Sequence, residues 1–427
     1  MGIKETLEYI HSVKWQGVKP GLERTRELLR AVGNPENSLK FVHIAGTNGK
    51  GSTAACITSV LQKAGFKTGL YTSPYIMCFN ERMQVNGAFI TDEELERFVG
   101  EVRPYADSMK DSPTEFELIT VLAFKYFLYH ECDIVVLEVG MGGELDSTNV
   151  IGTPEVAVIT SIGYDHVKEL GPTIADIARA KAGIIKEGGD VVTYGGEREV
   201  EDVFERVSAQ RGARLHRADF SRIKYQELSL SGNRFLLEPY GEITLPLLGV
   251  YQPKNAALAV AALEILRNKG YELTVRDIVS GLESVRWPGR FEVLGHEPVF
   301  ILDGAHNPQG IEAAADSLRN HFEDRKVVFA VGVMADKDAD SMFSHIAPLA
   351  QAFVAMKPDH IRAMDVKTLS EILSGFGLPV ESCDSVREGV AMAIKMAGKS
   401  GIVCALGSLY FSGDIRDAYD EVVVGHQ

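Results

Sequence analysis

The segment Gly46-Thr47-Asn48-Gly49-Lys50-Gly51-Ser52 has the plainest chemical meaning in the chain. It lies between an apolar run, Phe41 to Ala45, and a stretch in which Ile57, Val60, Leu61 and Ala64 recur at helical spacing. A glycine-rich turn in that setting offers successive backbone N–H groups and a helix N-terminus to phosphate oxygens, with Lys50 as a point charge on the outer phosphates. It departs from the common phosphate-loop consensus: Ile44 stands at the first glycine position, and Gly51 is inserted before the hydroxyl of Ser52. The alternative, a plain Gly-rich turn, fits the strand-and-helix context less well.

Other reactive side chains are scattered downstream. Glu138 closes the apolar run Ile134 to Leu137, His166 lies in a loop, and Lys181 falls in a helical stretch. Taken singly, these read equally as a helix cap, a loop histidine and a helix-surface lysine. His306 and Ser408 occupy strand-to-helix loops, the rim at which parallel sheets bind ligands. Asp336-Lys337-Asp338 is either a charged turn or an anion-attracting loop. Arg286-Trp287-Pro288-Gly289-Arg290 interrupts the rhythm of the chain and reads as a hinge, with Arg290 either a solvated linker charge or a functional cation.

The elements that must hold these groups alternate between β-rich runs and helical periods, which predicts parallel sheets covered by helices. Strands are expected at Phe41–Ala45, Ile134–Leu137 and Val156–Ile159. Helical faces are marked by Phe116, Ile119, Ala123, Tyr126 and Phe127. Thr173 with Asp176 three residues on predicts a capped helix running to Ile185, and Asn255 to Arg267 is helical. Residues 200–245 read as a small antiparallel excursion around Ser231-Gly232-Asn233. Beyond the hinge, strands are expected at Val299–Leu302, Val327–Val331, Phe353–Met356 and Ile402–Leu406. The fold class is therefore α/β: an N-terminal P-loop ATPase domain over 1–293 with a mostly parallel sheet, then a smaller Rossmann-like α/β domain over 294–427.

Composition sets the outer limits. The 427 residues, 45% hydrophobic and 24% charged, describe a globular protein of more than one core. A net charge of −15 argues against a nucleic-acid partner, so an anionic substrate must be met by local cations and N–H donors. Five cysteines without a C-x-x-C pair (Cys56, Cys78, Cys132, Cys383, Cys404) read as buried thiols of a reducing compartment. With no signal-peptide pattern and no membrane-length apolar run, a cytoplasmic protein without a membrane partner is expected. Met1-Gly2-Ile3-Lys4-Glu5-Thr6 fits the loose N-myristoylation pattern, but Leu7 and Ile10 fit the core face of an opening helix better.

The phosphate segment, together with Tyr71-Thr72-Ser73-Pro74 and Phe79-Asn80-Glu81-Arg82, resembles the folylpolyglutamate synthase and dihydrofolate synthase family of the Mur ligase superfamily. Leu137-Glu138-Val139-Gly140-Met141-Gly142-Gly143, Leu145-Asp146-Ser147-Thr148-Asn149, Lys181-Ala182-Gly183-Ile184-Ile185-Lys186, Asp303-Gly304-Ala305-His306-Asn307-Pro308 and Gly407-Ser408-Leu409-Tyr410 extend the likeness, in family order, over nearly the whole chain. The resemblance implies ATP at Gly46, Thr47, Asn48, Gly49, Lys50, Gly51 and Ser52. It adds Asn255 at adenine, and Arg290 and Asp303 at phosphates and ribose. Mg²⁺ is implied on Ser73, Glu138 and His166, and a carbamate on Lys181. His306 and Ser408 are implied to bind glutamate, with Lys50, Lys181 and His306 the catalytic groups. Tyr251 stands where many members carry histidine.

What this implies is an ATP-dependent ligase that joins L-glutamate to the carboxylate of a folate through an acyl phosphate. It would act as a monomer on small-molecule substrates, with the two domains closing to react. Dihydropteroate as a further acceptor stays open. Many bifunctional members have arginine where this chain has Glu144, and an aspartate-bearing segment where it has Lys19-Pro20-Gly21-Leu22-Glu23-Arg24. Two rivals are a peptidoglycan-type Mur ligase using a UDP-sugar acceptor and a non-catalytic nucleotide switch. The first would call for a separate UDP-binding domain ahead of the phosphate segment; the second would leave the DGAHNP and GSLY segments without a purpose.

Overall fold

The architecture comes from a computed structural model, which describes residues 2–12 and 21–423. Met1, Lys19 and Pro20, which belong to segments singled out above, lie outside the described residues. Contacts divide the chain into two compact units. The first takes the chain up to Ser73, then Asn80–Arg222 and Lys254–Ser284; the second takes Pro74–Phe79, Ile223–Pro253 and everything from Val285 onward. Three segments that a single boundary at 293/294 assigns to the first domain, Pro74–Phe79, Ile223–Pro253 and residues 285–293, thus pack with the second unit.

The first unit is built on an eight-stranded sheet. Its strands are β1 (Phe41–Ala45), β2 (Thr68–Tyr71), β3 (Met83–Val85), β4 (Ala88–Phe89), β5 (Ile134–Glu138), β6 (Val156–Ile159), β7 (Asp190–Thr193) and β8 (Arg214–Arg217). The order is β4-β3-β2-β5-β1-β6-β7-β8, parallel from β2 to β8, with β3 and β4 an antiparallel edge. Every residue of β1 and β5 is buried, because a central parallel strand is covered on both faces, and this is why FVHIA and IVVLE read as largely apolar runs, the first interrupted by His43 and the second closed by Glu138. Several of the helices begin at capping pairs. Thr114 and Glu117 form a capping box at Glu115–Tyr129, and Thr173 and Asp176 form another at Ile174–Ala182, a helix three residues shorter than expected. Glu117 also takes a two-pronged ion pair from Arg24, Nε to Oε2 at 3.0 Å and Nη2 to Oε1 at 2.8 Å.

Residues 200–245 correct the sequence reading. A helix, Arg198–Gln210, fills the first part, with Val200, Val203, Phe204 and Ser208 on its buried face. β8 then joins the parallel sheet, and only β9 (Ile223–Ser229), β10 (Gly232–Leu237) and β11 (Gly241–Leu245) form the antiparallel excursion. That small sheet belongs to the second unit, beside a six-stranded sheet of β12 (Glu292–His296), β13 (Val299–Leu302), β14 (Val327–Val331), β15 (Ala350–Ala355), β16 (Val380–Ser382) and β17 (Ile402–Leu406). Its order is β12-β13-β17-β14-β15-β16, all parallel except β12. Cys78 is exposed, unlike the other four cysteines, so the expectation of five buried thiols fails there.

One charged cluster fastens the far edge of the first sheet. Asp190 is buried at the start of β7 and accepts from Arg214 (2.7 and 2.6 Å), Lys269 (3.0 Å) and His216 (3.1 Å). Burial alone would raise its pKa, but these donors outweigh burial and hold the carboxyl well below its usual range. A carboxyl whose native pKa is depressed adds stability above its unfolded pKa of ~3.9, and that stability is lost as pH falls toward the native value. Asp190→Asn should therefore lower stability by about 2 kcal/mol at pH 7. Denaturant unfolding of both proteins should show the gap closing as pH falls below ~4; an equal gap at every pH would mean that Asp190 acts through packing alone.

Candidate active site

The phosphate segment is where the expectation and the geometry meet most closely. β1 ends at Ala45, the loop turns over Gly46 and Gly49, and Lys50 opens the helix Lys50–Lys63. Gly46 has φ of +150°, and a Cβ there would lie 1.7 Å from Thr160 Oγ1, so no larger residue fits. Gly49, at φ +88°, is packed against the Asn255 side chain, with Asn255 Oδ1 2.7 Å from where a Cβ would stand. Thr47 and Asn48 are laced to the loop after β6. The Thr47 N–H donates to Ser161 O (2.9 Å), Thr47 Oγ1 to Gly163 O (3.0 Å), and Ser161 Oγ to Asn48 O (3.2 Å). Lys50 Nζ lies 3.9 Å from Glu138 Oε1 and 3.4 Å from Thr47 O; Gly51 and Ser52 are buried in the first turn.

The neighbouring strands supply the remaining groups of the first unit. Ser73, Glu138, the phosphate loop and His166 follow the C-terminal ends of β2, β5, β1 and β6, which are consecutive in the sheet. Glu138 is buried and accepts the Ser73 N–H at 3.4 Å, while Arg82 donates from Nη1 to Ser73 Oγ at 3.2 Å. His166 has φ of +52° and a partly exposed ring, and its N–H donates to Asp165 Oδ1 at 2.9 Å. Among the described residues no group of three or more His, Cys, Asp and Glu side chains could hold a metal, and the implied set contains two of these types. A buried carboxylate and a hydroxyl beside a phosphate loop nonetheless suit Mg²⁺, which keeps most of its waters and takes few protein oxygens.

Lys181 is not the surface lysine of the blander reading. It is 4% exposed, and its Nζ donates to Gly46 O at 2.8 Å. Burial, then repulsion from Lys50, pulls its pKa down to about 7, so this amine gives up its proton far more readily than a solvated lysine does. The Met141–Asn149 loop braces the end of its helix. The Glu144 N–H donates to Ala180 O (2.8 Å), and Asn149 Nδ2 donates to Glu144 O (3.0 Å) and Gly183 O (3.1 Å). Asp146, buried beneath, accepts from the N–H groups of Met141 (2.9 Å) and Thr148 (3.0 Å).

In the second unit, Asp303 is buried at the end of β13. It accepts from the N–H groups of Phe291 (2.8 Å) and Ala305 (2.7 Å) and from Tyr251 Oη (3.2 Å). Burial raises its pKa while Arg290 opposes the rise. Gly304 leaves room for that guanidinium, since a Cβ there would lie 2.1 Å from Arg290 Nη1. His306 Nδ1 is 2.8 Å from Gly304 O, a contact that calls for the proton on Nδ1. Ser408 is buried just past β17. Sequence reasoning gave no role to Arg82, Thr160 or Asp165. Arg82 had a signal in the FNER segment, whereas Thr160 and Asp165 become visible only once β6 is set beside β1.

A phosphate loop on a parallel sheet, followed by a second α/β unit with its own rim residues, is the architecture of a Mur-type ligase. Residues 44–263 match the Mur ligase middle domain, and residues 289–409 match the Mur ligase glutamate ligase domain. The chain belongs to the folylpolyglutamate synthase/dihydrofolate synthase family of Mur ligases. It is 38% identical to the dihydrofolate synthase/folylpolyglutamate synthase of Bacillus subtilis over 97% of this chain and 98% of that one. It is 36% identical to the folylpolyglutamate synthase of Lacticaseibacillus casei, with the same coverage. The crystal structure of Mycobacterium tuberculosis folylpolyglutamate synthase complexed with ADP and AMPPCP superposes with a TM-score of 0.89 at 31% identity, covering 98% of each chain.

Proposed function

We propose that this chain is an ATP-dependent ligase that adds L-glutamate to the carboxylate of folates through an acyl phosphate, with dihydropteroate as a second acceptor. The observation that carries the reading is the Gly46–Ser52 loop, set between buried Glu138 and buried Lys181 in a chain matched end to end by relatives of that name. The loop N–H groups and Lys50 hold the outer phosphates of ATP and offset the charge that develops as the terminal phosphoryl group moves to the folate carboxylate. Ser73, Glu138 and His166 would hold Mg²⁺, which when bound neutralises phosphate charge. The glutamate amine then attacks the acyl carbon and phosphate leaves. His306 Nε2 accepts the amine's proton, and the Ser408 hydroxyl binds the amino-acid head.

Asn255, Arg290 and Asp303 complete the nucleotide site in this reading, and Lys181 carries a carbamate. The burial of Lys181 supports that assignment, because it favours the neutral amine and only the neutral amine adds to CO₂. The enzyme works as a cytoplasmic monomer on small molecules, without a nucleic-acid or membrane partner. No helix among the described residues is long and apolar enough to cross a membrane. ADP release measured with each acceptor in turn tests the reading. Turnover should require both glutamate and a folate, and dihydropteroate should also support it. Glutamate-independent hydrolysis, or turnover with a UDP-sugar peptide instead, would overturn the reading, and silence with dihydropteroate alone would remove the second acceptor.

A further inference from the structure

Asp303 is held by more than its own strand, and the extra contact comes from a segment far from it in sequence. The chain that leaves β11 runs through Leu247, Leu248, Gly249 and Val250 to Tyr251, and it is pinned along its length within the second unit. Asn233 of β10 is fully buried and donates from Nδ2 to Leu247 O (2.8 Å) and Gly249 O (3.1 Å). The Val250 N–H donates to Ser317 Oγ at 3.1 Å, and His321 Nε2 lies 3.0 Å from Leu248 O. Ser317 and His321 sit one turn apart on the helix Pro308–Phe322, so they grip the segment from one face. A Cβ on Gly249 would lie 2.6 Å from the Tyr251 ring, and glycine there lets the ring fold back over the chain.

The pinned segment delivers one polar atom. Tyr251 Oη donates to Asp303 Oδ2 at 3.2 Å, the oxygen that also accepts the Phe291 N–H at 2.8 Å. Burial, then the Asp303 charge, pushes the phenol's pKa well above its ordinary value, so it stays protonated and acts as a donor. Phe291 is buried with φ of +49°, a left-handed conformation that a residue bearing a side chain keeps only where its neighbours hold it. Those neighbours are the Asp303 carboxylate on its N–H and the His321 ring, stacked 5.4 Å from its own with planes 24° apart. The residue before it is Arg290, whose guanidinium packs over Gly304, and the Gly304 N–H donates to Gly289 O at 2.9 Å. Tyr251, Asp303, Phe291 and Arg290 thus form one connected chain of contacts.

We propose that Tyr251 is a positioning residue for the nucleotide: its hydroxyl fixes the Asp303 carboxylate, which in turn holds the Phe291 N–H and the backbone that directs Arg290. This rests on the nucleotide site of the ligase reading above. Tyr251 acts through Asp303 and not on the substrate. Loss of the hydroxyl removes one of the donors that oppose the effect of burial on Asp303, so the carboxyl would keep a proton to higher pH. The other groups around it leave that sign unchanged. Arg290 brings a positive charge from the hinge, and His306 turns its Nδ1 to Gly304 O. The Cys404 thiol of β17 is kept neutral by burial and by Asp303 itself. Burial lowers the pKa of His321, and Glu292 is paired with Arg416.

The test is calorimetric titration of the full chain with AMPPCP at a series of pH values between about 5 and about 8.5, with circular dichroism as the check on folding. Tyr251→Phe keeps the ring and should bind AMPPCP roughly tenfold more weakly at neutral pH, the loss expected for a hydrogen bond to a charged acceptor. That gap should widen as pH falls, because Asp303 of the variant takes up its proton first. The KM values for glutamate and tetrahydrofolate should stay within about twofold of wild type. Ser317→Ala frees the Val250 N–H but leaves the phenol in place; it should give a smaller loss, about threefold, and it carries the same comparison if Tyr251→Phe fails to fold. An affinity within about twofold of wild type, or a gap of the same size at every pH, overturns the proposal alone. A wild-type chain that does not bind AMPPCP overturns the nucleotide site and the ligase reading with it.

Discussion

Replacing Lys50 by alanine is expected to cut ATP-dependent ligation by a factor on the order of a thousand, the loss typical when a fixed donor to a developing oxyanion is removed. Lys50 sits at the first position of its helix, held between Glu138 and the Thr47 carbonyl, so its ammonium is already in place before ATP arrives. Its aliphatic stem fills no core site, and alanine is the best helix former, so the fold should survive. Lys50→Arg should also fail, because the planar guanidinium cannot occupy the same point beside buried Glu138. The measurement is single-turnover acyl-phosphate formation alongside circular dichroism. Near-normal turnover of a folded Lys50→Ala protein would remove the loop from the chemistry.

Lys181→Ala should lose roughly a hundredfold or more of its activity, in line with the cost of removing a group that orients a phosphate or metal site. The ammonium now donates to Gly46 O. In the proposed carbamate the oxygens would accept hydrogen bonds and would not repel Lys50. Burial and Lys50 bring the pKa to about 7, so the reactive neutral form increases as pH rises through neutrality. Uptake of labelled CO₂ on Lys181, read by carbon NMR, should therefore grow between about pH 6 and pH 8 and vanish in Lys181→Arg, whose guanidinium stays protonated. Acetate or propionate should partly restore Lys181→Ala by supplying a carboxylate to the vacated space. A fully active Lys181→Ala enzyme would leave the buried lysine as a tether for the loop and nothing more.

How much of this was legible in the sequence depended on whether a signal was local. β1 and β5 could be read because a strand buried on both faces is largely apolar, and the Thr173–Asp176 box could be read because its two partners are three residues apart. The helix Arg198–Gln210 was missed although Val200, Val203 and Phe204 carry its period, because the turn residues further on dominated the reading of that stretch. β8, with the sequence Arg-Leu-His-Arg, is an edge strand whose charges serve Asp190, and nothing in its own composition announces a strand. At the candidate site, residue types were legible and their environments were not. Lys181 looks like any helix lysine until β1 brings Gly46 against it, and nothing local to Asp303 shows that its carboxylate also holds Tyr251 and the Phe291 N–H.

The assignment of β9, β10 and β11 to the second unit also bears on how the protein is made. A ribosome releases Ile223–Pro253 well before the chain from Val285 onward that completes the same unit. At ~5–20 residues per second, that early sheet waits roughly 10 to 30 s for the rest. Phe235, Leu237, Ile243 and Leu245, all buried in the finished protein, spend that interval uncovered on a nascent chain. The first unit is interrupted by the same segment, since Lys254–Ser284 must return to it afterwards. Neither unit can therefore be completed before the other has begun. Cutting the gene between codons 293 and 294 would strand part of the second unit on the wrong fragment, so the shortest piece expected to fold is very nearly the whole chain.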